Sequence, residues 1–377
     1  MAEANTASKV NRRSALKAIS GATTASVLVG NALAHDGRYR TIVVGEYKNE
    51  PIVTRKVPEE WYEHVQRSRR AQDELSERFS DESWFDQIGR TSRNGNYRIG
   101  DLKEMKLRVR VTDRDGAERE VPDRQNNIPV EIVETDGSPE FQCTNWDKCD
   151  DDNYSCMEGG SFIHVEQDDE SFCQQSACIV VEDERGETGI MTAFHGFDES
   201  DECQDIKLRE GKQGTDESKI GHVRDYSIYD NESSYDEDQD WAILYLYEED
   251  IDGFTNDIIR ESYSVDGHLT KSGLESVASD DDGQPVENYG ASTCHTQGYD
   301  LELLGGVNTN CDAEEEGFEV HDGYTEQGDS GSPHYVAYDN FEIALMAGIH
   351  IRGGPRGVAA YAINNKHSIE FGKLSNC

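Results

Sequence analysis

Gly328-Asp329-Ser330-Gly331-Ser332-Pro333 is the stretch on which the reading of this chain turns. A serine hydroxyl is a poor nucleophile at neutral pH, so an enzyme that uses one holds it on a tight turn beside a base, with backbone N–H groups aimed at the developing oxyanion. Glycines around Asp329-Ser330 allow such a turn and let the N–H groups of Gly328 and Ser330 face one point. Asp, Ser, Gly and Pro are also ordinary turn residues, so the hexapeptide needs a base elsewhere before it means catalysis. Of the 11 histidines, His195 is distinguished by following the strand-like run Gly189 to Phe194 and preceding Gly196, which puts its imidazole at a strand end. An acid to orient it is supplied by Asp240, which leads directly into the apolar run Trp241-Ala242-Ile243-Leu244 and is carried inward with it. Asp238 is the competing residue.

Thr192-Ala193-Phe194-His195, Asp240-Trp241-Ala242-Ile243 and Gly328 to Pro333, in the order His, Asp, Ser, resemble the three catalytic segments of the chymotrypsin-like (trypsin-like) serine peptidases. Chain order discriminates, because α/β-hydrolases run Ser, acid, His and subtilisins run Asp, His, Ser. The resemblance covers roughly residues 160 to 377. It implies His195 as general base, Asp240 as its orienting acid, Ser330 as nucleophile, and the N–H groups of Gly328 and Ser330 as the oxyanion hole. It also implies an all-β fold of two antiparallel six-stranded β-barrels with the site in the cleft between them.

Within that family the C-terminal part is similar to the glutamyl endopeptidase branch, through Gly348-Ile349-His350 and a Thr five residues before the serine. The resemblance implies that Thr325 and His350 line the primary specificity pocket, and nearby Arg352 adds positive charge. A hydroxyl and an imidazole suit an acidic side chain, so Glu, then Asp, is the expected residue at the cleaved bond. Position 324 is Tyr, so the Asp with which trypsin holds Lys and Arg is missing, and no Arg-Ile-Val-Gly-Gly segment precedes the histidine region. Activation by a newly freed N-terminal ammonium is therefore not expected.

Residues 1–34 read as a twin-arginine export signal: Arg12-Arg13, a weak apolar region rich in Ser, Thr and Gly, and Ala32-Leu33-Ala34 for cleavage. That region is too short for a comfortable membrane span, and nothing later approaches one, so a secreted protein with no stable membrane insertion is expected. Asp and Glu total 77 against 36 Lys and Arg, a formal charge of −41. Such self-repulsion is relieved in brine, where at about 1 M salt the Debye length is about 3 Å, and a halophilic, archaeal source explains the composition best. Nucleic acid is excluded as a partner for want of a basic stripe. No cofactor or metal site is expected: there is no Cys-x-x-Cys pair, and Asp147 to Asn153 lacks the Gly and distal Glu of an EF-hand loop.

Nine cysteines in an exported chain point to disulfides with one thiol left over. By the family's habit of closing a loop around its histidine, Cys178 is expected to pair with Cys203, and a second bridge is expected between Cys294 and Cys311. Residues 35–140 mix strand-like runs (41–44, 107–111, 129–133) with a helical stretch from Pro58 through Leu75. This small α+β unit is expected to be either a pro-region, acting as an intramolecular inhibitor of a zymogen, or a permanent accessory domain. Residues 141–377 form the peptidase domain, with strands expected at 178–182, 189–194, 241–247, 285–297, 343–351 and 358–363. The expected function is a secreted endopeptidase acting on protein and peptide substrates. A catalytically idle trypsin-fold binding module and a serine esterase are the competing classes.

Overall fold

The computed structural model describes residues 27–29, 37–92, 97–135, 156–166, 172–194, 210–213, 219–227, 241–246, 253–258, 261, 263–280, 284–307, 316–326, 328–338, 343–352 and 354–372. The fold is all-β in its C-terminal two thirds, with two antiparallel barrels preceded by an α+β region. The first barrel is an antiparallel sheet in the order Phe172–Ser176, Phe162–Glu166, Glu210–Gln213, Lys219–Ser227, Trp241–Leu246, Thr188–Thr192, Val180–Glu182 and Glu370–Phe371. Ile190, Met191, Ile243 and Leu244 from its middle strands are fully buried, as their β-branched and apolar character requires. The second barrel runs Cys294–Gly298, Val286–Gly290, Pro333–Tyr338, Ile343–Arg352, Arg356–Ala359, Gly317–Val320 and Leu301–Val307. Thus the strand that ends at Thr192 and the strand that begins at Trp241 belong to one barrel, and the turn carrying Ser330 leads into the strand Pro333–Tyr338 of the other.

One expected strand is different. Residues 358–363 end the strand Arg356–Ala359 and then form the helix Ala360–His367, closed by Ser368 in the left-handed region (φ 54°) with Lys366 and His367 in the last turn. A six-residue apolar run has no period that separates strand from helix, and the cap decides it. The helix read after Pro58 does form, as Glu59–Phe79, with Trp61, Val65 and Leu75 on its buried face.

The α+β region is not set apart from the barrels. Its strand Tyr39–Tyr47 pairs with Ser264–Leu269, and its strand Phe85–Thr91 pairs with Leu301–Val307 through five residues. Val44, Val57, Trp61, Val65 and Leu102 share one apolar core with Leu269, Leu274, Phe318, Val336 and Leu345. Two carboxylates of the second half are buried against arginines of the first. Glu275, on the helix Lys271–Ala278, accepts from Arg90 Nη1 at 2.5 Å and from Arg69 Nε at 2.5 Å. Glu302 Oε2 accepts from Arg108 at 2.5 Å and Arg110 at 3.0 Å, and also meets His321 Nε2 at 2.5 Å, while Arg110 reaches on to Glu319 at 2.7 Å. Gly89 lies flush against this cluster: a Cβ there would sit 2.1 Å from Glu302 Oε1.

Burial alone would raise the Glu302 carboxyl, but His321, Arg110 and Arg108 outweigh it and bring it from 4.5 to about 2. A carboxyl lowered on folding contributes stability that is complete above its unfolded value and is lost as protons bind, here between pH 4.5 and about 2. His321 runs the other way: burial lowers it, Glu302 and Glu319 more than restore it, and its contribution is lost as the pH rises past that raised value. In constant molar salt, Glu302→Gln is therefore expected to flatten the fall of the unfolding midpoint between pH 4.5 and 2. Parallel midpoint curves for wild type and variant would remove Glu302 from the acid transition.

Candidate active site

Ser330 is 5% exposed at the entrance to the strand Pro333–Tyr338, and its turn is tied on three sides. Ser176 N–H donates to Ser330 O at 2.8 Å, Gly331 N–H donates to His350 O at 2.7 Å, and Ser332 N–H donates to Asp329 O at 2.8 Å. Gly328 and Gly331 both stand in the left-handed region, with φ of 93° and 88°. At Gly331 no other residue fits, since a Cβ would lie 2.2 Å from both Ser176 O and Thr192 Oγ1 and 3.0 Å from Ala193 N. The turn carrying Ser330 is thus pressed against Thr192 and Ala193, the segment that leads to residue 195. In the neighbouring strand Thr192 is paired with Ala242, so Trp241 begins at the same end of the sheet at which Thr192 finishes.

His195 and Asp240 themselves lie outside the described residues, as does the competing Asp238. So do Cys203 and Cys311, the twin-arginine segment, and the side chain of Arg352. The expected bridge from Cys178 to Cys203 is corrected. Cys178 is a free thiol, fully buried among Met191, Ile179 and their neighbours, and burial pushes its thiol well above the ordinary range. The flanking sequence places it inside the barrel, where its thiol packs as a small apolar group. Cys294 is disulfide-bonded.

Thr325 lines a shallow, narrow cleft together with Asn288, Thr296, Gly298, Tyr324 and His334. Its hydroxyl is buried and has no hydrogen-bond partner among the described residues. His350 is not on the cleft wall; it lies one layer in, 1% exposed, with Nδ1 at 3.4 Å from Nε2 of His334. Burial first, and then the neighbouring His350, hold His334 well below its ordinary value, so it stays neutral. His334 was not singled out in the sequence, although its position four residues after Ser330, on the strand that borders the cleft, is a usable signal. Asn288 also went unremarked: its Nδ2 donates to Ser332 Oγ at 2.7 Å and to Pro333 O at 3.1 Å, pinning the end of the serine turn.

Asp329 is fully buried. Its Oδ1 accepts from the N–H groups of Ser292 at 2.9 Å and Thr293 at 3.1 Å. Its Oδ2 accepts from Thr293 Oγ1 at 2.6 Å and from Glu326 N–H at 2.9 Å. Burial raises its carboxyl against the pull of these donors.

No protein-family model matches the chain, and no curated protein matches it. Among solved structures it is similar to the Nocardiopsis protease NAPase. That likeness has a TM-score of 0.36 at 14% identity and covers 57% of this chain and 99% of that one. At so low a score the functional reading rests on the residues themselves.

Proposed function

We propose that the protein is an exported serine endopeptidase that works in concentrated salt and cleaves after Glu, through Ser330, His195 and Asp240. The observation that carries the reading is the packing of Gly331 against Thr192 and Ala193, which leaves the nucleophile turn beside the chain entering His195. With the base there, Ser330 Oγ gives its proton to His195 as it attacks the scissile carbonyl, and His195 returns that proton to the leaving amine. Water then repeats the cycle on the acyl-enzyme. Asp240 holds the imidazole in its tautomer, and the N–H groups of Gly328 and Ser330 receive the oxyanion.

Preference for Glu is supported by the unpartnered Thr325 hydroxyl and by the neutral His334 backed by His350. A carboxylate entering this cleft gains the Thr325 hydroxyl and the Nδ1 of neutral His334 as donors. Exposed Glu326 and Asp322 near the mouth oppose acidic substrates in dilute solution, a penalty that molar salt removes.

The test is to treat the full chain in molar salt with a fluorophosphonate and to digest a mixed peptide library. One phosphonyl group per chain on Ser330 and cleavage dominated by Glu are expected. Absence of labelling at Ser330, or hydrolysis of esters only, would defeat the peptidase reading; cleavage after Lys, Arg or large apolar residues would defeat the assigned specificity.

A further inference from the structure

Asp329 presents a problem of its own. A buried carboxylate beside a nucleophile turn is costly unless something compensates its charge, and among the described residues it makes no ion pair. Four donors surround it instead, and three of them come from one hairpin turn. The strands Val286–Gly290 and Cys294–Gly298 pair Gly290 with Cys294, and Ala291-Ser292-Thr293 closes the loop. Cys294 stands in the left-handed region (φ 60°), the bulge geometry of a three-residue hairpin, and is disulfide-bonded. The turn is shaped around the carboxylate: a Cβ at Gly290 would lie 2.0 Å from Asp329 Oδ1.

The same turn reaches the other side of the serine. Ala291 N–H donates to Ser176 Oγ at 2.9 Å, and that hydroxyl donates to Gly328 O at 3.0 Å. The peptide that precedes Asp329 and the Asp329 side chain are therefore both indexed to residues 291–293, the Gly328 carbonyl through Ser176 and the side chain directly. Thr293 contributes the one side-chain donor, and at 2.6 Å it is the shortest of the contacts to Asp329.

We propose that Thr293 is a positioning residue for Ser330. The 291–293 turn neutralises Asp329 with oriented N–H and O–H dipoles and thereby holds Gly328 to Ser330 in the conformation that receives the oxyanion, with no cation required. This rests on the peptidase reading of the same site. It adds that the turn is competent as folded, so that no new chain terminus has to be liberated to set it.

Thr293→Val removes the hydroxyl and keeps the shape and the backbone N–H groups. Loss of a hydrogen bond to a charged group is expected to lower kcat on a Glu peptide by about 10- to 100-fold with KM changed by less than about twofold, and Thr293→Ser is expected to restore most of it. A second readout is independent of hydrolysis. Amide exchange across residues 328–332, followed by mass spectrometry in the full chain, should be faster in Thr293→Val than in wild type and should return in Thr293→Ser. Unchanged kcat in Thr293→Val, or equal loss in the Val and Ser variants, overturns the proposal. If wild type neither hydrolyses peptides nor takes up phosphonate, the peptidase reading fails separately; unchanged exchange in Thr293→Val then overturns the positioning role as well.

Discussion

A chain that lacks residues 35–140 is expected to show no cooperative unfolding transition, even at molar salt, and no phosphonate uptake at Ser330. The reason is the division of partners. Glu275 and Glu302 are within 1% of complete burial, and the guanidinium groups that neutralise them come from Arg69, Arg90, Arg108 and Arg110. Removing one partner of a buried pair costs about 3–5 kcal/mol, a large part of the typical net stability of a domain, and here two sites are orphaned together. Salt does not rescue them, because screening acts on charges in contact with solvent. The shared core adds to the loss, since Trp61, Val57 and Leu102 cover Leu269, Phe318 and Leu345. Among point variants, Arg110→Ala is expected to lower the unfolding midpoint by roughly 5–15 °C. Arg110→Met combined with Glu302→Leu should recover most of that, because no lone charge is left inside. A stable, phosphonate-reactive 141–377 fragment would instead mark residues 35–140 as a removable pro-region. The accessory reading, in which this region stays with the working protein, is the one these contacts favour.

Replacing Ser330 with Ala is expected to reduce peptide hydrolysis by up to about 10⁶-fold in kcat, the scale at which a nucleophile, base and acid acting as a unit fail together. The unfolding midpoint should move little, since the backbone hydrogen bonds at residues 329, 330 and 331 survive the substitution. Retention of more than about one per cent of wild-type kcat would mean that the hydroxyl is not the nucleophile. Measurement belongs in molar salt, where a chain of charge −41 is relieved of its self-repulsion.

Local turns and strands were more legible in the sequence than their long-range partners. Gly328 to Pro333 could be read as a nucleophile turn because left-handed glycines beside a serine are a local signature, and φ of 93° and 88° at Gly328 and Gly331 shows the backbone reason for them. The strands before His195 and after Asp240 were legible from apolar runs, and they pair as Thr192 with Ala242. What the sequence could not disclose was partnership over long range. Nothing near Arg110 or Glu302 announces that they meet across almost two hundred positions, and a buried arginine looks in sequence like any surface charge. The Cys178 assignment failed for a related reason: proximity along the chain to His195 said nothing about which way the thiol faces. His334 and Thr293 escaped notice because each acts through a neighbour rather than through a motif.

The pairing of Phe85–Thr91 with Leu301–Val307 also sets a timetable for synthesis. A ribosome adding about 5–20 residues per second needs on the order of 10–40 s to deliver the partner strand after the first has emerged. Throughout that interval an apolar strand, a helix face and four arginines wait without their complements, and slow non-local closure is the step at which nascent chains associate with one another. The acidic surplus then acts before any folded surface exists. At low ionic strength mutual repulsion between unfinished chains keeps them apart until the late strands arrive, whereas at about 1 M salt, where the Debye length is about 3 Å, that protection is lost.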